Sequence, residues 1–229
     1  GPSVSPNRKK AMDAVTGGGT PCFDIDVENW VDIDGDGDLD PNGCIEFIDG
    51  KPSGDLMALK ISDGTPVWSE NLARTRATSQ MASMSDAARP AIDGGTVFAV
   101  GHSGRMIATN SKTGERLWSI NVPGIQAPCV AGDTVYVVDT GGRVMALDRK
   151  DGKTRWTANL PESKTWSGPV LAGGTLWLAS NKGRLIGVDA ATGKVGSQVD
   201  LGNPVYIAPI VAQGRMFVLT DNAKLIALN

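Results

Sequence analysis

The chain has 229 residues and a formal net charge of −3 at pH 7, and 41% of its residues are hydrophobic. This size and composition indicate a folded protein of one or two domains. No run of 18 apolar residues occurs, which argues against a membrane-spanning helix, and the basic residues form no concentrated stripe of the kind that nucleic-acid-binding proteins carry. The 29 glycines and the scarcity of helix-forming stretches predict an all-β fold with many tight turns.

Three segments of different composition follow one another along the chain. Gly1-Pro2 is typical of the remnant of a cleaved affinity tag, and residues 1–21 are predicted to hold this remnant and a flexible N-terminus. Residues 22–50 contain ten acidic residues and no Lys or Arg, whereas residues 51–229 contain 19 basic and 14 acidic residues, a net charge of +5. Because a dense acidic block repels itself unless a cation neutralises it, the middle segment is predicted to bind a metal ion.

The acidic segment places a carboxylate at every second position. Ca²⁺ is bound in proteins by about six to eight oxygen atoms, and a tightly turned loop can supply several of them at once. Gly37 stands where EF-hand loops make their sharp turn, but Gly43 occupies the position of the EF-hand's last glutamate. The pattern is more similar to the Asp-rich loops of integrin-type and thrombospondin-type repeats. We predict a structural Ca²⁺ site, with a solvated acidic loop as the alternative; the candidate ligands are Asp32, Asp34, Asp36, Asp38 and Asp40.

Two of the three cysteines, Cys22 and Cys44, bracket the acidic segment. In an oxidising compartment they could form a disulfide that closes a loop around the carboxylates. The alternative is that both are reduced thiols, like Cys129, which stands alone in a predicted strand. The sequence leaves both alternatives open.

A repeat runs through the rest of the chain. Its units open at Pro90, Pro128, Pro169 and Pro209, which are 38, 41 and 40 residues apart. Within each unit, apolar residues alternate with a period of two, which is typical of strands whose side chains point to opposite faces of a sheet. A period of about 40 residues with four short strands is that of a β-propeller blade. The predicted fold is an all-β propeller of four-stranded antiparallel blades over residues 51–229, with about four to five blades.

Tryptophans recur four residues after a turn glycine, at Trp68, Trp118 and Trp156. We predict that they pack between neighbouring blades, where an indole buries a large area and can donate its N–H group to a carbonyl. An aromatic ligand cage is the alternative use of such residues. In the next unit the matching position is Ser197, so the contact there is predicted to be weaker or differently made.

The repeated motif reads Gly-Xaa-Xaa-Xaa-Ala-Leu-Asp, followed by Xaa-Thr-Gly-Lys-Xaa-Xaa-Trp. It resembles the quinoprotein-type repeat of the BamB family of outer-membrane protein assembly factors. The resemblance covers residues 52–229 and is carried by the stretches 64–69, 89–93, 101–106, 113–118, 166–172 and 218–228.

That resemblance implies an eight-bladed ring in the periplasm, associated with the outer membrane through a lipid anchor. It also implies a non-catalytic scaffold that binds a POTRA-domain barrel-assembly protein of the BamA type. No lipobox precedes Cys22. The chain holds about half of the blades that the resemblance implies, so the others are expected from a missing half of the propeller or from a second copy in a homodimer.

The connection from Arg74 to Asp86 is longer than its counterparts in the other units. Long loops that project from a rigid scaffold are common positions for binding residues. The candidate partner-binding residues are Arg74, Arg76, Asp86 and Arg89, of which Asp86 matches an acidic connection of the family by resemblance. The alternative is that this loop is only solvated.

Two further functions remain open on the sequence. The acidic segment favours a Ca²⁺-stabilised extracellular or pilus-type adhesive propeller, whereas the BamB-like stretches disfavour it. A fragment of a quinone (PQQ)-dependent dehydrogenase is the enzymatic alternative, since those enzymes resemble this repeat. They often use adjacent cysteines, however, and this chain has none, while its single histidine, His102, lies in a predicted hairpin turn. We therefore predict no catalytic residue, no cofactor other than Ca²⁺ and no nucleic-acid partner.

Overall fold

The computed structural model describes residues 55–60, 62–72, 88–101, 104–161 and 165–228. Every regular element within these ranges is a β-strand, and no helix there is long and apolar enough to cross a membrane. The segments 1–21 and 22–50, with the predicted Ca²⁺ loop, Cys22 and Cys44, lie outside the described residues.

The strands form antiparallel sheets whose members follow one another in chain order. Blade one has β1 (Asp55–Leu59) and β2 (Pro66–Asn71). Blade two has β3 (Ala91–Asp93), β4 (Thr96–Gly101), β5 (Arg105–Asn110) and β6 (Arg116–Ile120). Blade three has β7 (Cys129–Ala131), β8 (Thr134–Val138), β9 (Arg143–Asp148) and β10 (Thr154–Asn159), and blade four has β11 (Val170–Ala172), β12 (Thr175–Ala179), β13 (Arg184–Asp189) and β14 (Val195–Asp200). Blade five has β15 (Ile210–Ala212), β16 (Arg215–Leu219) and β17 (Leu225–Leu228).

The hairpin between the first two strands of a blade is as short as the chain allows. In blade four, Ala172 pairs with Thr175, and the two residues between them, Gly173 and Gly174, have φ angles of 56° and 76°. Two-residue hairpins of this kind require positive φ at both turn positions, which glycine adopts without steric cost. In blade five the first of these positions is Gln213, with a φ of 51°, so this hairpin holds a side chain in a backbone conformation that L-residues disfavour.

Blades two, three and four are apolar on both faces because each packs between two neighbours. In β8, Tyr136 and Val138 belong to a buried cluster with blade four, whereas Val135 and Val137 belong to a buried cluster with blade two. This is the two-residue alternation of a strand with both faces covered. We call the face toward the following blade the leading face and the face toward the preceding blade the trailing face.

The first strands of successive sheets lie side by side, β3 next to β7, β7 next to β11 and β11 next to β15. The remaining strands of each blade extend away from them in order. Sheets that share such an inner row and stack face to face are arranged as the blades of a β-propeller. The predicted all-β propeller of four-stranded antiparallel blades is confirmed for the described residues.

Three indoles lie between neighbouring blades, as predicted. Trp118 is 8% exposed and packs with Phe98 in the cluster that joins blades two and three. Each of the three indole N–H groups donates a hydrogen bond to a carbonyl of the following blade. The three bonds are Trp68 Nε1 to Ser111 O at 2.9 Å, Trp118 Nε1 to Arg149 O at 2.8 Å and Trp156 Nε1 to Ala190 O at 3.0 Å.

A turn glycine of the following blade lies directly against each indole. A Cβ atom on Gly152 would lie 2.8 Å from Trp118 Cε3, and one on Gly193 would lie 2.6 Å from Trp156 Cε3. The same holds for Gly114 against Trp68. These glycines also have positive φ angles, so their backbone conformation and their neighbour both disfavour any other residue.

Blade four is packed differently, as the substitution of Ser197 for tryptophan predicted. In blades two and three, an alanine on the third strand has an aromatic residue on each side. One is on the second strand and the other is the tryptophan of the outer strand, as for Ala108 between Phe98 and Trp118. In blade four, Trp177 lies across from Gly187, and Ser197 on β14 is exposed. A Cβ atom on Gly187 would lie 3.2 Å from the Trp177 ring. Blade four thus keeps an aromatic residue on the second strand, like Phe98 in blade two, and has none at the outer-strand position of Trp118.

Candidate partner-binding surface

One end of the propeller is built from the connections between blades and the hairpins between second and third strands. The connection into blade three touches the hairpins of both blades that it joins, since Gly124 N donates to Gly101 O and Thr140 N donates to Pro123 O. The connection into blade five repeats this arrangement, with Val205 N bonded to Ser180 O. We call this end the connection end, where backbone hydrogen bonds fix these two connections to the blades that they join.

The connection into blade two is much the longest of those between described strands. From the strand bounds it has 19 residues (72–90), whereas the others have 8 (121–128), 10 (160–169) and 9 (201–209). Its two ends are anchored in the core, because Leu72 and Ala88 are 0% and 1% exposed. The predicted long connection is therefore confirmed, and it starts and ends at fixed points of the connection end.

The candidate partner-binding residues fall on this connection. Arg89 follows the buried Ala88 and is exposed to solvent. Arg74, Arg76 and Asp86 lie outside the described residues, so their role stays a prediction. Of the four residues, the structure therefore describes only Arg89, which lies at the connection end just before β3.

Basic residues recur on the hairpins of the connection end. Each second-to-third-strand hairpin is followed by Arg or Lys at the first position of the third strand or just before it, namely Arg105, Arg143, Arg184 and Lys224. Arg143 donates to the buried Asp139 carboxylate at 2.6 Å, and this carboxylate also accepts the backbone N–H groups of Gly141 and Arg143. Arg184 pairs with Asp200 at 3.2 Å. The hairpins therefore combine positive charge with a tightly held backbone.

Tyr206 and Ile207 are the apolar part of this end, and sequence reasoning did not identify them. They lie in the connection into blade five and are about half exposed. Aromatic residues and arginine are enriched in the centres of protein–protein interfaces. The sequence shows both residues, but nothing in the repeat shows that this connection leaves them uncovered.

At the opposite end of the blades, several charged side chains form ion pairs with one another. Arg155 hydrogen-bonds Asp133 at 2.9 Å and Asp148 at 2.7 Å, and these bonds hold the pKa of both carboxyls below their ordinary value. Arg149 pairs with Asp93 of the preceding blade and lies 5.7 Å from the centre of the Phe98 ring. These pairs stabilise turns and contacts between blades.

The described part of the chain contains no group of three or more His, Cys, Asp or Glu residues that could hold a metal ion. The predicted ligands Asp32, Asp34, Asp36, Asp38 and Asp40 are outside it, as is His102. Cys129 is a free, half-buried thiol whose pKa is raised by burial. A thiol with a raised pKa is a poor nucleophile at neutral pH.

The family model described as outer membrane protein assembly factor BamB matches this chain over residues 40–158 and again over residues 151–229. Among curated proteins, the outer membrane protein assembly factor BamB of Vibrio cholerae is 32% identical over 73 residues, which are 31% of this chain and 19% of that protein. The aligned region is thus a small part of this relative.

Among solved structures, BamB from Moraxella catarrhalis matches with a TM-score of 0.66 and 18% identity over 76% of this chain and 51% of that one. The quinohemoprotein alcohol dehydrogenase ADHIIG from Pseudomonas putida HK5 matches with a TM-score of 0.52 and 17% identity over 77% of this chain and 38% of that one. At such identities these likenesses show the propeller fold alone. The chain spans about half the length of the Moraxella protein.

Proposed function

Because the chain belongs to the BamB family of outer membrane protein assembly factors, we propose that it is a non-catalytic periplasmic scaffold associated with the outer membrane. In this role it binds a POTRA-domain barrel-assembly protein of the BamA type and supports the insertion of β-barrel proteins. The observation that carries the proposal is the family match, which extends from residue 40 to residue 229. The rigid connection end with its long, anchored loop is consistent with a protein-binding surface.

We place the partner contact on the connection end. Arg89 is exposed next to the anchored Ala88, and Arg74, Arg76 and Asp86 belong to the same connection by sequence. Tyr206 and Ile207 add exposed apolar area at that end. A partner with an acidic, partly apolar surface would complement this combination, with charge pairs at the rim and apolar contact at the centre.

The test is direct binding of the tandem POTRA domains of a BamA-type protein to the immobilised chain, measured by biolayer interferometry. Reversing three charges (Arg74→Glu, Arg76→Glu and Arg89→Glu) is expected to weaken binding by roughly tenfold or more. Lys153→Glu is the matched control, because Lys153 is exposed on the opposite end. Absence of binding by the unchanged chain, or equal loss with the control, would refute the assignment.

We also propose that the acidic segment binds Ca²⁺ through Asp32, Asp34, Asp36, Asp38 and Asp40 and so has a structural role. The support is the alternate spacing of the carboxylates, whose mutual repulsion a cation would relieve. Isothermal titration calorimetry with Ca²⁺ is expected to show one site, which the double change Asp34→Asn and Asp36→Asn removes. Mass spectrometry with and without reductant then distinguishes a Cys22–Cys44 disulfide from two reduced thiols. Unaltered Ca²⁺ affinity in the double variant would exclude this loop as the site.

The enzymatic alternative, a quinone-dependent dehydrogenase fragment, has the likeness to ADHIIG in its favour, and that likeness shows the fold alone. We propose that the chain does not catalyse alcohol oxidation. Incubation with PQQ, Ca²⁺, an alcohol and a redox dye is expected to give no dye reduction above the protein-free rate. Turnover in this assay would replace the scaffold proposal with an enzyme.

A further inference from the structure

The acidic segment, residues 22–50, is joined to the propeller at the connection end. The strand that follows it in the chain, β1, occupies the third-strand position of blade one, because Ala58 pairs with Trp68 in the register that joins β5 to β6. Asp55, the first residue of β1, therefore takes the place that Arg105 has at the start of β5. Third strands begin at the hairpins of the connection end, and so the acidic segment leads into the fold there.

The tether between the segment and β1 is short. Only residues 51–54 separate them. Because a chain spans at most about 3.6 Å per residue, the last two acidic residues of the segment, Asp49 and Glu46, lie within about 22 Å and 32 Å of Asp55. A short tether holds a linked ligand near its attachment point at an effective concentration on the order of millimolar. The connection end is therefore within easy reach of the segment.

The segment and the nearest part of the connection end have opposite charges. The segment carries ten carboxylates and no Lys or Arg, so one bound Ca²⁺ would offset only a small part of its charge. In blade two, Arg89 is exposed just before β3 and Arg105 is partly exposed at the start of β5. Blade two also contacts blade one at this end, since a Cβ atom on Gly101 would lie 3.1 Å from Leu72 Cβ. The two arginines thus belong to the blade beside the strand into which the segment leads.

Further basic side chains continue along the same end. Arg143, Lys182 and Lys224 are exposed on the hairpins of blades three, four and five. One exposed ion pair contributes little to binding, because both groups remain solvated and mobile. A segment with carboxylates at many positions therefore suits a row of separate basic groups, where several weak pairs form together and the tether removes most of the entropic cost of association.

We propose that the acidic segment docks on the connection end of its own propeller, first against Arg89 and Arg105 and then along the basic hairpins. Docking relieves the mutual repulsion of the carboxylates, as a bound cation also does. The segment then occupies the surface on which we place the acidic partner, so that segment and partner exclude each other. The docking does not depend on the proposed function, and its test needs no partner.

The first test is cross-linking of the full chain with a carbodiimide, which joins carboxylates to amines, followed by peptide mass spectrometry of the product at monomer mass. Arg89→Lys supplies an amine at the connection end and keeps the charge. The native Lys112, exposed in the β5–β6 turn of the same blade, is the matched control at the opposite end. Cross-links from residues 22–50 to position 89 are expected to exceed those to Lys112 by roughly fivefold or more. Equal yields at the two positions, or cross-links to position 89 only between two copies of the chain, would overturn the proposal.

The second test removes the charge complementarity. In the Arg89→Lys chain, Arg105→Glu is expected to lower the yield of the cross-link at position 89 by roughly threefold or more, because it places a like charge beside the docked carboxylates. Lys194→Glu is the matched control, since Lys194 is exposed in the β13–β14 turn at the opposite end, and it should leave the yield unchanged. Circular dichroism checks that both variants fold. An unchanged yield with Arg105→Glu, or an equal fall with the control, contradicts docking through charge.

Discussion

The interfaces on the two sides of blade four are built differently. On one side, Trp156 of blade three covers Gly193 and bonds to the Ala190 carbonyl. On the other side, the outer strand carries the exposed Ser197, and Trp177 fills the space above Gly187 on the second strand. The two interfaces bury apolar surface by different means, and the interface between blades four and five does so without an outer-strand indole.

The largest effect on stability is expected when an indole is removed from the outer strand. Trp118→Ala is expected to lower the free energy of unfolding by about 3–5 kcal/mol, because it leaves a cavity in the cluster between blades two and three. Ser197→Ala, at the equivalent position of blade four, is expected to change it by less than about 0.5 kcal/mol. Urea denaturation followed by circular dichroism measures both. Comparable losses would mean that Ser197 contributes to an interface in the same way as the indole.

The next test concerns the glycine that the indole covers. Gly152→Ala is expected to cost about 2–5 kcal/mol, as the sum of backbone strain at a φ of 72° and of overpacking against Trp118. Gly202→Ala is the control, because Gly202 has a φ of 74° and, apart from its chain neighbours, no atom lies within 4 Å of where the added methyl group would stand. It should show the strain alone, about 1–2 kcal/mol. Identical losses in the same denaturation assay would show that contact with the indole is unimportant.

A smaller effect is expected at the first hairpin of blade five. Gln213→Gly relieves a φ of 51° and should raise the free energy of unfolding by about 0.5–1 kcal/mol, after the entropy that glycine adds to the unfolded chain is subtracted. Gly132→Gln makes the reverse exchange at the same turn position of blade three, where a Cβ atom would meet nothing within 4 Å. It should lower stability by a similar amount. The strain explanation requires the two exchanges to change the free energy of unfolding in opposite directions. If both exchanges raise it, or both lower it, the strain explanation is wrong.

The smallest expected effect is the acid sensitivity of the end opposite to the connection end. Arg155 hydrogen bonds lower the pKa of Asp133 and Asp148 from 3.8. A carboxyl whose pKa is lower when folded stabilises the fold above the unfolded pKa, and this stabilisation is lost as the pH falls through the folded pKa. Arg155→Gln should therefore lower Tm slightly at pH 7 and flatten the fall in Tm below about pH 4. If Tm falls in parallel with pH in the unchanged chain and in Arg155→Gln, the pairs of Arg155 with Asp133 and Asp148 do not contribute to the acid sensitivity.

Much of the fold could be predicted because the repeat is local. The spacing of Pro90, Pro128 and Pro169 and the two-residue alternation of Val135 and Val137 predicted blades with two buried faces, and the structure confirms them. The place of Trp118 between blades was also predictable, since an indole so regularly spaced needs apolar cover. Only one of the two reasons why residue 152 is a glycine could be predicted. Its turn conformation follows from local sequence, whereas its contact with Trp118 joins residues 34 positions apart.

The candidate site was less predictable than the fold. The length of the connection before Arg89 could be read from the repeat, and the structure adds its buried anchors, Leu72 and Ala88. The exposure of Tyr206 and Leu225 could not be foreseen, because the same pattern of apolar residues is buried in the other blades. Exposure depends on whether a neighbouring blade is present, and that is a property of the assembly of blades and not of one repeat.

The tryptophan–glycine contacts also bear on how such a protein can change in evolution. Blades two and three each bring the indole that covers the next turn and the glycine that accepts the indole before it, as blade three does with Trp156 and Gly152. A duplicated repeat would therefore enter the series with both halves of its contacts already present. Gains and losses of whole blades need few accompanying substitutions, and propellers of different size can descend from one repeat.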